Sequence, residues 1–444
     1  FGSRRPATCT PRHSLLSPSM PKGVPPGPPP AGKGVPPAGK GYSGGCTTSA
    51  PKVILKQSGS IAEELERKRA SLTKVPAEQI HDSSRVRSSG FDDFRAYQRY
   101  MRCFNIERWL QALGDATFQT RLLPITRAEA EALVVLHKGG SGLVPSTDAE
   151  DTLAKVAVRL QAVMDDVCGT GGGCFVKTSS RSAKDNATPS QIRDSVAMAL
   201  QKLACEASDE NAQMVALSYA SMELLRFSSA QKVIEIFVGS ERCWHDMELA
   251  LAQDDWEESL VARRWVDLEP DMEFRCFVSA GRLRAVSQYR HLVYFPRLVA
   301  LQADVMQGLV PFFEERVRPR LRGLFPGDRY TVDLAVELEG ASIGNVNAAR
   351  DRLEGVSLGR WWCIEVNPFY ETTDACLFSW SRERALLEGG DCMGTSEGAS
   401  AMPAFRVRER PARGAVSLVY GHWKAALPGE PAGCSSLGPF HATS

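Results

Sequence analysis

A chain of 444 residues with 43% apolar and 24% charged side chains can build one elaborate domain or two ordinary ones, which excludes collagen, wholesale disorder and a polytopic membrane protein. No run approaches the roughly 20 uncharged apolar residues that a membrane-spanning helix needs. The formal charge is +1, but the first 60 residues hold eight Lys and Arg and no Asp or Glu, so the other 384 carry −7 and the folded part is mildly acidic.

Residues 1–58 carry twelve of the 27 Pro and a near repeat, KGVPP at Lys22 and again at Lys33. Such a segment cannot bury enough apolar surface to offset its ordering entropy, which predicts a disordered basic tail. Within it, GVPPAGKG over 34–41 superficially matches a phosphate-binding loop. The match fails because Gly41 stands where Ser or Thr belongs, and Pro36 and Pro37 forbid the flanking strand and helix. The composition also fits an organelle transit peptide, and the opening Phe1 fits a fragment of a longer chain.

Residues 59–90 read as a short amphipathic, charge-rich helix over 61–72 and a polar linker over 84–90, so folding is expected to begin near Phe91. Helical spacing of apolar residues runs over 91–113 and again over 125–137, the latter opened by Thr126. The Gly-rich run GTGGG at 169–173 precedes an apolar strand, Cys174–Thr178, and a Ser-rich turn. Thr188 and Pro189 sit at the N-cap and first position of a helix reaching about 206, and helices follow over 211–227 and 240–252. From 260 onward the pattern changes to strands: 260–265, 273–278 and 283–289, with Gly281 in a hairpin turn. A long amphipathic helix over 296–324 and strands over 330–336 and 361–366 complete an α+β chain, a largely antiparallel sheet with flanking helices. The twelve Cys show no CxxC pair and no zinc spacing, and all seven His are isolated; Cys174, Cys276, Cys363 and Cys376 are expected as buried thiols in a reducing compartment.

Two late strands carry chemistry. In TVDLAVE, Asp333 lies between Val332 and Leu334, and in WWCIEVNPF, Glu365 and Asn367 share one strand face. Buried carboxylates need a cation or donors; two carboxylates and an amide oxygen suit Mg²⁺ carrying nucleotide phosphates, and neighbouring Arg side chains would satisfy them equally well. In CFVKTSSRSAKD, Lys177 ends a strand ahead of small hydroxyl side chains, a placement suited to phosphate oxygens or to simple snorkelling. In LVARRWVDLEPDMEFRCFV, the break at Pro270 between two strands offers backbone groups to an adenine edge and acidic groups to a ribose.

In this order the elements resemble the nucleotide site of the ATP-grasp fold. EFRCFVSAGRLRAVSQY, VDLAV and IEVNPFYETTDACLFSW are more closely similar to the cell division cycle protein 123 (D123) family, over about 91–407. The resemblance implies an N-terminal ATP-grasp-like subdomain over 91–255 with Lys177 as the phosphate lysine and Ser180 beside it. It implies a C-terminal subdomain over 256–413 and a tail over 414–444. Backbone at Arg264, Trp265 and Val266 would take the adenine, Glu273 the ribose, Arg275 the phosphates, and Asp333, Glu365 and Asn367 the Mg²⁺. Residues 339–360 and the loop after Lys177 depart from the family pattern.

The implied function is an ATP-binding assembly factor, cytoplasmic, that docks the gamma subunit of eukaryotic translation initiation factor 2, with ATP and Mg²⁺ as ligands and no nucleic-acid partner. The competing reading is an ATP-grasp ligase that joins a carboxylate to an amine through an acylphosphate, with Arg275 at the reacting phosphate.

Overall fold

The computed structural model describes residues 91, 94–139, 147–169, 173–206, 208–390, 402–419, 421–425 and 427. The tail expected over 1–58, the segment 59–90, most of the Gly-rich run and part of the 414–444 tail lie outside them.

Among the described residues, eight strands form two sheets. β1 (Thr120–Pro124), β2 (Cys174–Thr178) and β3 (Ser259–Arg264) make an antiparallel sheet of order β1-β3-β2. β4 (Glu273–Ser279), β5 (Arg282–Gln288), β6 (Tyr330–Glu339), β7 (Ser357–Pro368) and β8 (Ala404–Arg406) make the second, of order β7-β6-β4-β5-β8. It is antiparallel except for β8, which runs parallel to β5. The mixed α+β architecture with largely antiparallel sheets is thus observed. Gly281 turns the β4–β5 hairpin with φ +67°, a conformation only glycine adopts without strain.

The main helices are α1 (Phe94–Arg102), α2 (Arg127–Gly139), α3 (Thr147–Cys168), α4 (Pro189–Leu203), α5 (Glu210–Glu223), α6 (Ala230–Gly239), α7 (Glu241–Leu251) and α8 (Pro296–Phe312). Thr188 caps α4 in a capping box with Gln191, and Ser240 caps α7 by accepting from the Cys243 amide. α3 was not anticipated, although Leu153, Val156, Ala157, Leu160, Met164 and Val167 are buried at helical spacing. With β2, β3, α2, α6 and α7 it forms one apolar core. A second and larger core unites Phe274, Cys276 and Val278 of β4 and Val332, Leu334 and Val336 of β6 with Leu298, Leu301, Val305 and Leu309 of α8. By the two-residue strand period, Glu273, Arg275 and Asp333 face the opposite way.

Three expectations need correction. The helix expected over 91–113 ends at Arg102, and single turns at Ile106–Arg108 and Leu110–Leu113 follow, because the Ile106 amide donates to the Ser179 carbonyl (3.3 Å) instead of continuing a ladder. The helix expected over 296–324 runs regularly only to Phe312. Pro311 lacks a donor, a wide π turn over Phe313–Val317 follows, and the last helical turn ends at Leu321. Cys174 is not a free thiol: it is bridged to Cys168 across the Gly-rich run, while Cys276, Cys363 and Cys376 are buried and unbridged as expected.

Of residues 339–360, only 340–356 stand outside β6 and β7. Arg297, fully buried at the start of α8, donates to Asp271 (2.8 and 2.6 Å), Glu269 (2.6 Å), Asn345 Oδ1 (2.7 Å) and the Ser342 carbonyl (3.0 Å). This network ties the insertion and the Pro270 break to α8; removing one member of such a buried group costs about 3–5 kcal/mol.

Candidate functional site

The site is built by strand register. Arg275 of β4 lies opposite Asp333 of β6, and Asp333 opposite Glu365 of β7. Asn367, two residues beyond Glu365, stays on the same face. Arg275 holds Asp333 in a two-pronged ion pair, Nε to Oδ1 and Nη2 to Oδ2, both 2.8 Å, with both side chains buried. Its remaining nitrogen donates to the Asp374 carbonyl (2.9 Å), and its guanidinium lies 4.9 Å from the Tyr289 ring centre. Burial works against the Arg275 charge, but Asp333 more than offsets it and holds the guanidinium protonated. Asn367 Nδ2 donates to Asp333 Oδ2 (3.1 Å), which leaves its amide oxygen available.

From the other sheet, Lys177 reaches across to Glu365. The Lys177 side chain is 4% exposed and its ammonium donates to Glu365 Oε1. Burial pushes the Glu365 carboxyl up, but the Lys177 and Lys184 charges and the Lys177 hydrogen bond outweigh it and hold the carboxyl at about 2. Glu273 is raised, chiefly by burial and further by Asp333, against the opposing charges of Arg290 and Lys184.

Glu365 is set by a bulge. Asp333 pairs with Glu365 while Leu334 pairs with Cys363, so Ile364 is the extra residue. Its carbonyl accepts from Arg263 Nη1 (2.6 Å), and Arg263 Nη2 donates to the Thr117 hydroxyl (2.7 Å). Arg263 is 1% exposed and covered by the Phe118 ring at 4.8 Å. Burial pulls its guanidinium down to about 10, against the opposing influence of Cys363 and Glu365.

Lys177 with Glu365, and Arg275 with Asp333 and Asn367, are therefore two contact groups set side by side by the Asp333–Glu365 register, with Glu273 on the same face. Ser180 is not among them: its hydroxyl donates to Asp246 (2.8 Å), which also takes Arg181 at 2.9 and 3.1 Å. The amides of Arg264 and Trp265 already donate to the carbonyls of Gln119 (2.8 Å) and Gly173 (3.1 Å), and the Val266 carbonyl accepts from Leu268 (2.9 Å). The acids at the break, Glu269 and Asp271, are taken up by Arg297, so Glu273 alone of that stretch faces this cluster.

Sequence reasoning passed over Lys184, which stands 5.9 Å from the Tyr289 ring centre, together with Arg290 and Arg263. None has a local signal: Lys184 and Arg290 lie in loops where periodicity stops, and Arg263 reads as the outward residue of an exposed pair. The buried Nε of Arg290 has no hydrogen-bond partner. That orphan donor, Lys177 and the oxygens of Glu365, Asp333 and Asn367 fit a polyanion carried by a hard cation.

Fold and site together define an α+β protein with a cationic and carboxylate-lined face between two sheets. The D123 family model matches residues 210–417, and over this stretch the chain is similar to that family. The chain is 26% identical over 170 residues to the translation initiation factor eIF2 assembly protein of Xenopus laevis, covering 37% of this chain and 44% of that protein. It is 35% identical over 131 residues to cell division cycle protein 123 of Phaeosphaeria nodorum, covering 29% of this chain and 28% of that one. The match thus spans less than half the length of these curated relatives. The structure of Cdc123 from Schizosaccharomyces pombe aligns with a TM-score of 0.42 at 19% identity, covering 70% of this chain and 96% of that one. No helix among the described residues is long and apolar enough to cross a membrane.

Proposed function

We propose that the chain binds ATP with Mg²⁺ and serves as an assembly factor for translation initiation factor eIF2, acting on its gamma subunit. The observation that carries the reading is the pairing of Lys177 with Glu365 across two sheets, beside Asp333 and Asn367 on the same strand face. Relatives named as eIF2 assembly proteins support the client.

In this reading Lys177 exchanges Glu365 for phosphate oxygens, and the freed Glu365, the Asn367 amide oxygen and the unused lone pairs of Asp333 hold Mg²⁺. The metal neutralises phosphate charge when bound. Arg275 keeps Asp333 oriented, Arg290 supplies its unpaired donor, and Glu273 accepts from a ribose hydroxyl. Nucleotide then acts as a ligand that draws the two sheets together into a surface for a protein client, and turnover is not required.

Isothermal titration of MgATP into wild type and Asp333→Ala/Asn367→Ala tests the nucleotide site: saturable binding in the first and at least a tenfold loss in the second are expected. Equal affinity in both would remove the metal assignment. Capture of the purified gamma subunit that rises with ATP supports the client. Acceptor-dependent ADP release without such capture would move the assignment to a ligase.

A further inference from the structure

Side chains from two segments far apart in sequence meet beside, but outside, this cluster. His291 lies in the turn after β5, and Asp374 and Cys376 in the loop after β7; one donor atom of each lies within 4.8 Å of the other two. The two loops are fixed by contacts of their own. The His291 amide donates to the Tyr289 carbonyl (2.9 Å), the Cys376 thiol to the same carbonyl (3.6 Å), and the Leu377 amide to the Ser287 hydroxyl (3.1 Å). The Thr373 hydroxyl donates to the Pro368 carbonyl (2.8 Å), and Trp380 Nε1 to the Thr373 carbonyl (2.7 Å). Cys376 sits at φ +54°, a left-handed conformation that a β-carbon disfavours and that persists only where the surroundings impose it. Its amide donates to Asp374 Oδ1 (2.8 Å), which orients that carboxylate.

From this arrangement we infer that His291, Asp374 and Cys376 form a binding site for a zinc-class transition-metal ion. An imidazole nitrogen, a carboxylate oxygen and a thiolate sulfur match the zinc donor set, whereas Mg²⁺ and Ca²⁺ take oxygen ligands alone. Tetrahedral zinc places its donors about 3.3–3.6 Å apart, so the three donor atoms would draw closer on binding the ion. His291 and Cys376 are buried at 7% and 6% exposure, while Asp374 is exposed, which leaves the fourth position open to water on its side. The ion would pin the turn after β5 to the loop after β7. Because the Asp374 carbonyl also accepts from Arg275, that pinning reaches the ion pair with Asp333.

The test is titration of Co²⁺ into the metal-stripped, reduced full chain. One equivalent should give a thiolate-to-cobalt charge-transfer band with tetrahedral visible absorption, and Zn²⁺ should abolish both. Cys376→Ser should eliminate the charge-transfer band, His291→Gln should weaken binding at least tenfold while keeping it, and Cys243→Ser, at a buried thiol elsewhere, should change neither. Absence of the band at stoichiometric cobalt, or its survival in Cys376→Ser, overturns the site. If Cys376→Ser does not fold by circular dichroism, alkylation of wild type decides: one equivalent of Zn²⁺ should slow modification of Cys376 at least tenfold, and an unchanged rate refutes the proposal.

Discussion

Replacing Lys177 by Met tests the link between the two sheets at its ion pair. The side chain length is kept, and Glu365 loses the cation that lowers its pKa most. Breaking a fully buried pair costs about 3–5 kcal/mol. The Glu365 side chain is 30% exposed, so water recovers part of that and about 1–3 kcal/mol is expected at neutral pH. The folded carboxyl titrates at about 2 against an ordinary 4.5, so the folded state binds fewer protons than the unfolded chain in that window. Its stabilising contribution is therefore present above 4.5 and lost as pH falls toward 2. Urea denaturation of both proteins should show a gap at pH 7 that narrows below 4.5, and Lys177→Met/Glu365→Gln should recover most of the loss. A gap that stays constant from pH 7 to pH 3, or no gap at pH 7, refutes the electrostatic account.

Arg275→Met leaves Asp333, 2% exposed, with only the Asn367 amide, and should cost about 3–5 kcal/mol. In Arg275→Met/Asp333→Leu no charge remains stranded, so a denaturation cycle should give a coupling energy of about 2 kcal/mol or more, and strict additivity would contradict the pair. Glu258 presents the opposite case: burial first and the Glu107 charge second push its carboxyl up to about 8, and Glu107 Oε2 is itself buried without a partner. Between 4.5 and 8 the folded state keeps a proton that the unfolded chain releases, so stability declines as pH rises. Glu258→Gln should then raise stability by about 2–4 kcal/mol at pH 8 and far less near pH 4.5, as read from urea midpoints.

The strands that carry the site were legible because each repeats a local pattern. Apolar residues alternate with Glu273 and Arg275 on β4 and with Asp333 on β6, and that alternation sets which face each charge occupies before any partner is known. The partners were not legible. Nothing near Arg275 says that it grips Asp333, and nothing near Ser180 says that Asp246 on α7 claims its hydroxyl; both depend on register and packing between distant segments. β1 and β8 escaped notice for a different reason. Thr120–Pro124 and Ala404–Arg406 are short edge strands, half exposed, with too few residues to display a period. The isolated His and scattered Cys show the same limit, since His291 and Cys376 are 85 positions apart and meet only through the sheet.

Two contacts of unlike kind connect the sheets at the site, and their difference bears on how a ligand would act. β2 and β3 are paired, with Lys177 opposite Val261, and each sends one cation to β7: Lys177 to the Glu365 carboxylate, Arg263 to the Ile364 carbonyl next to it. A phosphate competes with a carboxylate for an ammonium but not with a buried backbone carbonyl for a guanidinium enclosed by Phe118 and Thr117. On the proposed nucleotide reading, Lys177 is therefore the contact that exchanges and Arg263 the one that stays, holding the bulge so that Glu365 remains aimed at the site once released. Arg263→Met should leave the Lys177 pairing possible but free the bulge. Hydrogen exchange at the amides of residues 363–367 should then rise at least tenfold in the absence of nucleotide, and MgATP should fail to restore it. Exchange at wild-type rates in this variant would show that the bulge is held by its own strand pairing, and Arg263 would lose its positioning role.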